Sequence, residues 1–225
     1  MLHFNCQNSK PTANPSPHMT RFYFIFLLFF LLVVLTHLTA FHSGFMEDDN
    51  LVLNGYSRNI KYIFHGLMLN STGTVFRPML YGLFSLEYFF FGDDAEGYRW
   101  VSLILYAGVG TAICFFIHRV FENKWLAYLT AFFFTIHPVN QNIVNAFSSS
   151  YIDLQVIFTL ACLYWGGVKS FSFKNIVIAL SYFMLALLCH ETAAAIPIYL
   201  FSFCVIVQKR SWRKQQAHAP CLVFF

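Results

Sequence analysis

Residues 21–50 read RFYFIFLLFFLLVVLTHLTAFHSGFMEDDN. Between Phe22 and Phe41 there is no Asp, Glu, Lys or Arg. At 1.5 Å per residue, a helix of that length crosses a hydrocarbon core of about 30 Å. Arg21 stands before the run, and the carboxylates Glu47, Asp48 and Asp49 stand after it. A cleaved signal peptide is the alternative to a membrane helix. The run is longer than a usual signal core and its C-terminal half stays crowded with Leu and Phe, which favours an uncleaved anchor.

The rest of the chain repeats this pattern. The sequence is 58% hydrophobic, 20% aromatic and only 11% charged, where soluble domains carry roughly 25% charge. An all-α integral membrane protein of about six transmembrane helices is expected. Spans are predicted at 22–41, 100–118, 125–144, 152–168, 175–189 and 192–207. Residues 1–21 read as a disordered cytoplasmic tail, 22–207 as the multi-span domain, and 208–225 as a basic cytoplasmic tail. The first outer loop, 42–98, is the longest stretch without a span. Inside it, Met79–Phe91 is apolar but short and carries Glu87, which predicts a short interfacial helix or one packed on the bundle.

Charge orients the map. With the N-terminus inside, the cytoplasmic segments collect Lys10, Arg21, Arg119, Lys124, Lys169, Lys174, Lys209, Arg210, Arg213 and Lys214, with Glu122 as the one acid among them. The outer segments hold Arg58, Lys61 and Arg77, and Arg99 sits at a boundary. The positive-inside rule supports this orientation. No basic cluster interleaves with aromatics as nucleic-acid binding needs. The six cysteines have neither disulfide nor zinc spacing, and four of them (Cys114, Cys162, Cys189, Cys204) fall within apolar runs.

The orientation gathers polar features on the outer side: Glu47-Asp48-Asp49, Arg77-Pro78, His137-Pro138, Ser148-Ser149-Ser150 with Asp153, and His190-Glu191. Ionisable groups at membrane depth must find a partner or water, so they mark functional sites by default. Adjacent carboxylates repel, and one of them should hold its proton more tightly, as a group poised for proton transfer does. The bland alternatives stay open: a solvated acidic loop, a kink at His137-Pro138, an interface anchor at Arg77, a surface turn at His190-Glu191.

The order of these pieces resembles a family. Phe45-x-x-Asp48-Asp49, then Arg77-Pro78 running to Phe84-Ser85-Leu86-x-Tyr88-x-x-Phe91-Gly92, then Gly97-Tyr98-Arg99, His137-Pro138-Val139 and Glu191-Thr192, is similar to the C-type polytopic membrane glycosyltransferases. The likeness is to their protein O-mannosyltransferase-like branch, which includes membrane proteins with tetratricopeptide repeats. It covers about residues 22–207. It implies transfer of a mannose-like hexose from a polyprenyl- or dolichyl-phosphate carrier to a protein or glycan hydroxyl at the outer face: periplasmic in a bacterium, lumenal in the endoplasmic reticulum of a eukaryote. It also places the general base on Asp48, with Asp49 as its neighbour. Arg77, His137, His190 and Glu191 are then the phosphate- and substrate-side candidates, and Met79–Phe91 would dock an isoprenoid tail. No metal motif is present, though Asp48 and Asp49 could hold a divalent cation through oxygen ligands.

The sequence departs from that family where Asn140-Gln141-Asn142 stand in place of an acid-bearing stretch and where serines replace an arginine at 148–150. The chain also ends sooner than the family's, which predicts an N-terminal portion. A truncated inactive remnant, or a small non-enzymatic protein of membrane transport or assembly, is the competing expectation.

Overall fold

The computed structural model describes residues 17–38, 44, 45, 49, 77–140, 146–169 and 172–205. Glu47, Asp48 and both tail assignments, apart from 17–21, lie outside them. Among the described residues the chain is all-helical, with no strand. Seven helices follow in order: α1 Pro17–Thr36, α2 Pro78–Phe91, α3 Ala95–Phe121, α4 Lys124–Ile136, α5 Ser150–Leu163, α6 Phe173–Cys189 and α7 Glu191–Val205.

Two helical stretches, Ala95–Phe121 and Ser150–Val168, are long and apolar enough to cross a membrane. Four shorter apolar helices, Phe22–Thr36, Lys124–Ile136, Phe173–Cys189 and Glu191–Val205, accompany them. At 1.5 Å per residue these four reach only about 20–26 Å.

Local chemistry sets the boundaries. α1 starts at Pro17, inside the stretch expected to be disordered. Proline suits the first helical turn, where a backbone N–H has no partner anyway. α3 starts at Ala95, five residues before the expected Trp100, because the Asp94 side chain accepts the Glu96 N–H and caps the helix. α4 stops at Ile136, so the expected continuation to residue 144 fails. The residue before a proline is pushed out of helical geometry, and His137 is extended (φ −68°, ψ 126°) ahead of Pro138. A short 3-10 turn, Pro138–Asn140, follows. Met79–Phe91 is helical as expected, and Gly92 ends it at φ 58°, a conformation glycine adopts without a Cβ penalty.

α3 is the central helix, packed against α1, α4, α5 and α2. α5 carries the bundle on to α6, and α2 lies across one end against α3, α5 and α6. We call that end the capped end, and the opposite one the open end. In the α1–α3–α4 seam, Phe29, Val33, Ala107, Ala127 and Ala131 are buried. In the α5–α6–α7 seam, Cys162, Ala179, Ala186, Ala193 and Ile196 are buried. Small residues at both seams let the helix backbones approach closely, the packing mode of helices in lipid. α5 runs on through a π turn, Tyr164–Val168, closed by the Lys169 N–H on the Tyr164 carbonyl at 3.0 Å. There Gly167 leaves room for Phe203 of α7: a Cβ on it would stand 2.6 Å from the ring.

The outward faces are greasy. Phe24, Phe89, Phe90, Phe133, Phe173 and Phe201 are each more than 60% exposed. Large exposed apolar faces on a folded chain mark contact with lipid or a partner.

A candidate functional site at the capped end

Residues from distant parts of the chain meet at the capped end. Arg77 is the N-cap of α2, and Pro78 fixes the first turn behind it. Its guanidinium makes a forked ion pair with Glu191: Nη2 donates to Oε1 at 2.7 Å and Nε donates to Oε2 at 3.1 Å. Nη1 donates to the Tyr151 hydroxyl at 2.7 Å. Tyr151 stacks flat on the His190 ring, 5.8 Å between centroids and 8° between planes. His190 occupies the extended junction between α6 and α7, where its Nδ1 accepts the Thr192 N–H at 3.1 Å. That bond leaves Nε2 to carry the proton of the neutral ring. Gln155 of α5 donates to the Thr192 hydroxyl at 2.8 Å and ties the α7 turn to α5.

Electrostatics follows from these contacts. The Arg77 hydrogen bond holds the Glu191 carboxyl down at about 2 and raises the guanidinium in return. Burial, followed by the Arg77 charge, holds His190 below its ordinary value. His190 is therefore a neutral hydrogen-bond donor at pH 7, and Arg77 is the cation. A guanidinium has five N–H donors. Three are engaged by Glu191 and Tyr151, which leaves one on each terminal nitrogen for an anion. Glu191 is 60% exposed, so the pair itself adds only about 0.2–1 kcal/mol to stability. Its main effect is to fix the plane of the guanidinium.

Behind this surface lies a buried layer. Tyr98 and Phe147 pack with Phe45 and Phe84, and the Tyr98 hydroxyl donates to the Gly92 carbonyl at 2.9 Å. Arg99, in the first turns of α3, is 1% exposed and lies 4.2 Å over the Phe147 ring. A buried cation against a ring face is worth about 2 kcal/mol or more. Asp49 is fully buried, and its charge acts both on Arg99 and on Glu87 of α2. Glu87 is 3% exposed, and neither of its oxygens has a hydrogen-bond partner among the described residues. Burial, with the Asp49 charge beside it, pushes the Glu87 carboxyl up to about 8. Asp153, in the first turn of α5, is also buried, and its Oδ2 has no partner among the described residues.

Arg77, His190 and Glu191 thus form one constellation with Tyr151, and Asp49 belongs to a buried one with Glu87 and Arg99. Asp48 lies outside the described residues. His137 does not join either group: it is exposed, and its Nδ1 accepts the Val139 N–H of its own turn at 3.2 Å. Tyr151 and Glu87 were missed as site residues. A lone acid within the apolar run Met79–Phe91 was the visible signal for Glu87. Nothing in the sequence marked Tyr151 apart from the serines beside it. Among the described residues no three His, Cys, Asp or Glu side chains are placed to hold a metal ion. The cysteines of the apolar runs are free thiols, with Cys114, Cys162 and Cys189 buried. Comparison of the chain with protein-family models, with curated proteins and with solved structures finds no match.

Proposed function

We propose that the chain is the membrane-embedded part of a glycosyltransferase. It passes a mannose-like hexose from a polyprenyl- or dolichyl-phosphate carrier to an acceptor hydroxyl at the outer membrane face. In this reading the six expected spans run through α1 and α3–α7, the His190-Glu191 turn lies outside the last two of them, the N-terminus is cytoplasmic, and the capped end faces outward. The ten bases of the cytoplasmic segments support that orientation.

The supporting observation is the meeting at one end of acid and cation from distant chain segments. Arg77 and Glu191, 114 residues apart, are forked together there, and Asp49, Glu87 and Arg99 form a second, buried cluster. The chemistry divides between the two layers. The Asp48 carboxylate takes the proton of the acceptor hydroxyl as its oxygen attacks the anomeric carbon. The bond from that carbon to the phosphate oxygen breaks with inversion, and the phosphate leaves with the electron pair. Arg77, held flat by Glu191, neutralises the charge on the departing phosphate through its two remaining N–H groups, and His190 Nε2–H adds a neutral donor. Arg99 balances the buried charge of Asp49, and the exposed Phe89 and Phe90 of α2 give the isoprenoid tail an apolar surface.

The test is sugar transfer by the chain in lipid nanodiscs from a polyprenyl-phosphate mannose donor. Asp48→Asn is expected to lower the rate by about 100-fold or more, the usual weight of a positioned base. Arg77→Gln is expected to lower it too, with His137→Ala near wild type. No transfer by the wild-type chain, or full transfer by Asp48→Asn, refutes the reading.

A further inference from the structure

The open end carries a second feature, which the proposed reaction does not use. There α1, α3 and α4 enclose a groove of about 670 Å³. Its walls are apolar, with Ile25 from α1, Cys114 from α3 and Tyr128 from α4. Two cations, Arg119 and Lys124, line it beside His118, and none of the lining residues is acidic. Arg119 extends over the Phe115 ring at 4.9 Å, which holds its charge at the rim. Glu122, between Arg119 and Lys124 in sequence, adopts a left-handed conformation (φ 56°) that closes α3 on the His118 carbonyl and is not among the lining residues. Along α3 the groove's Arg119 stands 20 residues from Arg99, about 30 Å away at 1.5 Å per residue. The groove is therefore remote from the capped end.

We propose that this groove is a binding site for an anionic glycerophospholipid, one acyl chain lying between α1, α3 and α4 and the headgroup phosphate meeting Arg119 and Lys124. The inference rests on the membrane orientation of the preceding reading, which puts the open end at the cytoplasmic leaflet. Charge complementarity selects the occupant. A zwitterionic headgroup gains little from a rim with cations and no acid, whereas each basic residue near an anionic headgroup adds attraction. The volume and apolar walls admit hydrocarbon, which a free phosphate ion would leave unfilled.

Native mass spectrometry of the full chain, released from detergent micelles containing phosphatidylglycerol or phosphatidylcholine of identical acyl chains, tests this. The wild-type chain is expected to retain phosphatidylglycerol about 30-fold more than phosphatidylcholine, the scale set by two basic residues. Arg119→Gln with Lys124→Gln should bring the ratio close to one, and His137→Ala, exposed and outside both clusters of the capped end, should leave it unchanged. Equal retention of the two lipids by the wild-type chain overturns the proposal, whatever the variants do. So does selectivity that survives the double substitution, or lipid stripped by inorganic phosphate alone. Intact selectivity in a chain that transfers no sugar counts against the proposed reaction and leaves this site standing.

Discussion

Replacing Glu87 by Gln removes one buried titration and little else, since the two side chains share shape and volume. In the folded chain the Glu87 carboxyl titrates at about 8 instead of 4.5. At 1.36 kcal/mol for each pKa unit, that rise corresponds to about 5 kcal/mol. The sign follows from proton counting. Between these two values the folded chain keeps the Glu87 proton and the unfolded chain has lost it. Unfolding then releases a proton, so the contribution is complete below 4.5 and lost as pH rises through about 8. Wild type and Glu87→Gln should therefore have similar stability near pH 4.5, and the variant should gain steadily until about pH 8–9. The gap there should approach about 5 kcal/mol, or about 10–20 °C in midpoint for a chain of this size. Asp49→Asn should recover the smaller share of the effect, because burial is the larger cause and the Asp49 charge the lesser. Thermal unfolding in mild detergent, followed by tryptophan fluorescence from pH 4.5 to 9, reads the difference. A gap that is constant with pH, or that widens toward acid, would refute the reasoning.

Further predictions come from the packing. Arg99→Met should cost about 3–5 kcal/mol, because it leaves the buried Asp49 carboxyl without the guanidinium its charge faces; chemical unfolding of the two proteins measures it. A double-mutant cycle of Arg77→Gln and Glu191→Gln should give a coupling of about 0.2–1 kcal/mol in stability, since Glu191 is 60% exposed. The same Arg77→Gln change should reduce sugar transfer far more than that figure suggests. Gly167→Ala should cost about 1–3 kcal/mol through its clash with Phe203, and Phe203→Leu in the same chain should restore part of the loss; melting temperatures of the single and double variants decide this.

The all-helical class and the order of the helices are legible because most of the helices are apolar runs bounded by polar residues, although only Ala95–Phe121 and Ser150–Val168 are long and apolar enough to cross a membrane. The ends were less so. Asp94 falls within the expected outer loop 42–98, but its side chain caps α3, which starts five residues before the expected Trp100. His137-Pro138 was read as an interruption within a span, but it ends α4. The site was half legible. Arg77, His190 and Glu191 were named from sequence and are in contact. Glu87 was noticed only as an obstacle to a membrane span, because a linear pattern does not reveal that a loop carboxylate will fold onto it. Tyr151 was missed for a related reason: its role depends on Arg77, which is 74 residues away.

The placement of α2 has a consequence for biosynthesis. It is made second but rests on α3, α5 and α6. Its cap residue, Arg77, waits for Glu191, made 114 residues later. At about 5–20 residues per second, ribosomal elongation separates those two by about 6–23 s. During that interval α1, α3 and α4 already share a complete apolar seam, while α2 has only its contact with α3. The acid-and-cation end of the molecule is thus the last to close. Newly made chains should pass through a stage in which the bundle's first half is packed and its capped end is still open to chaperones and modifying enzymes.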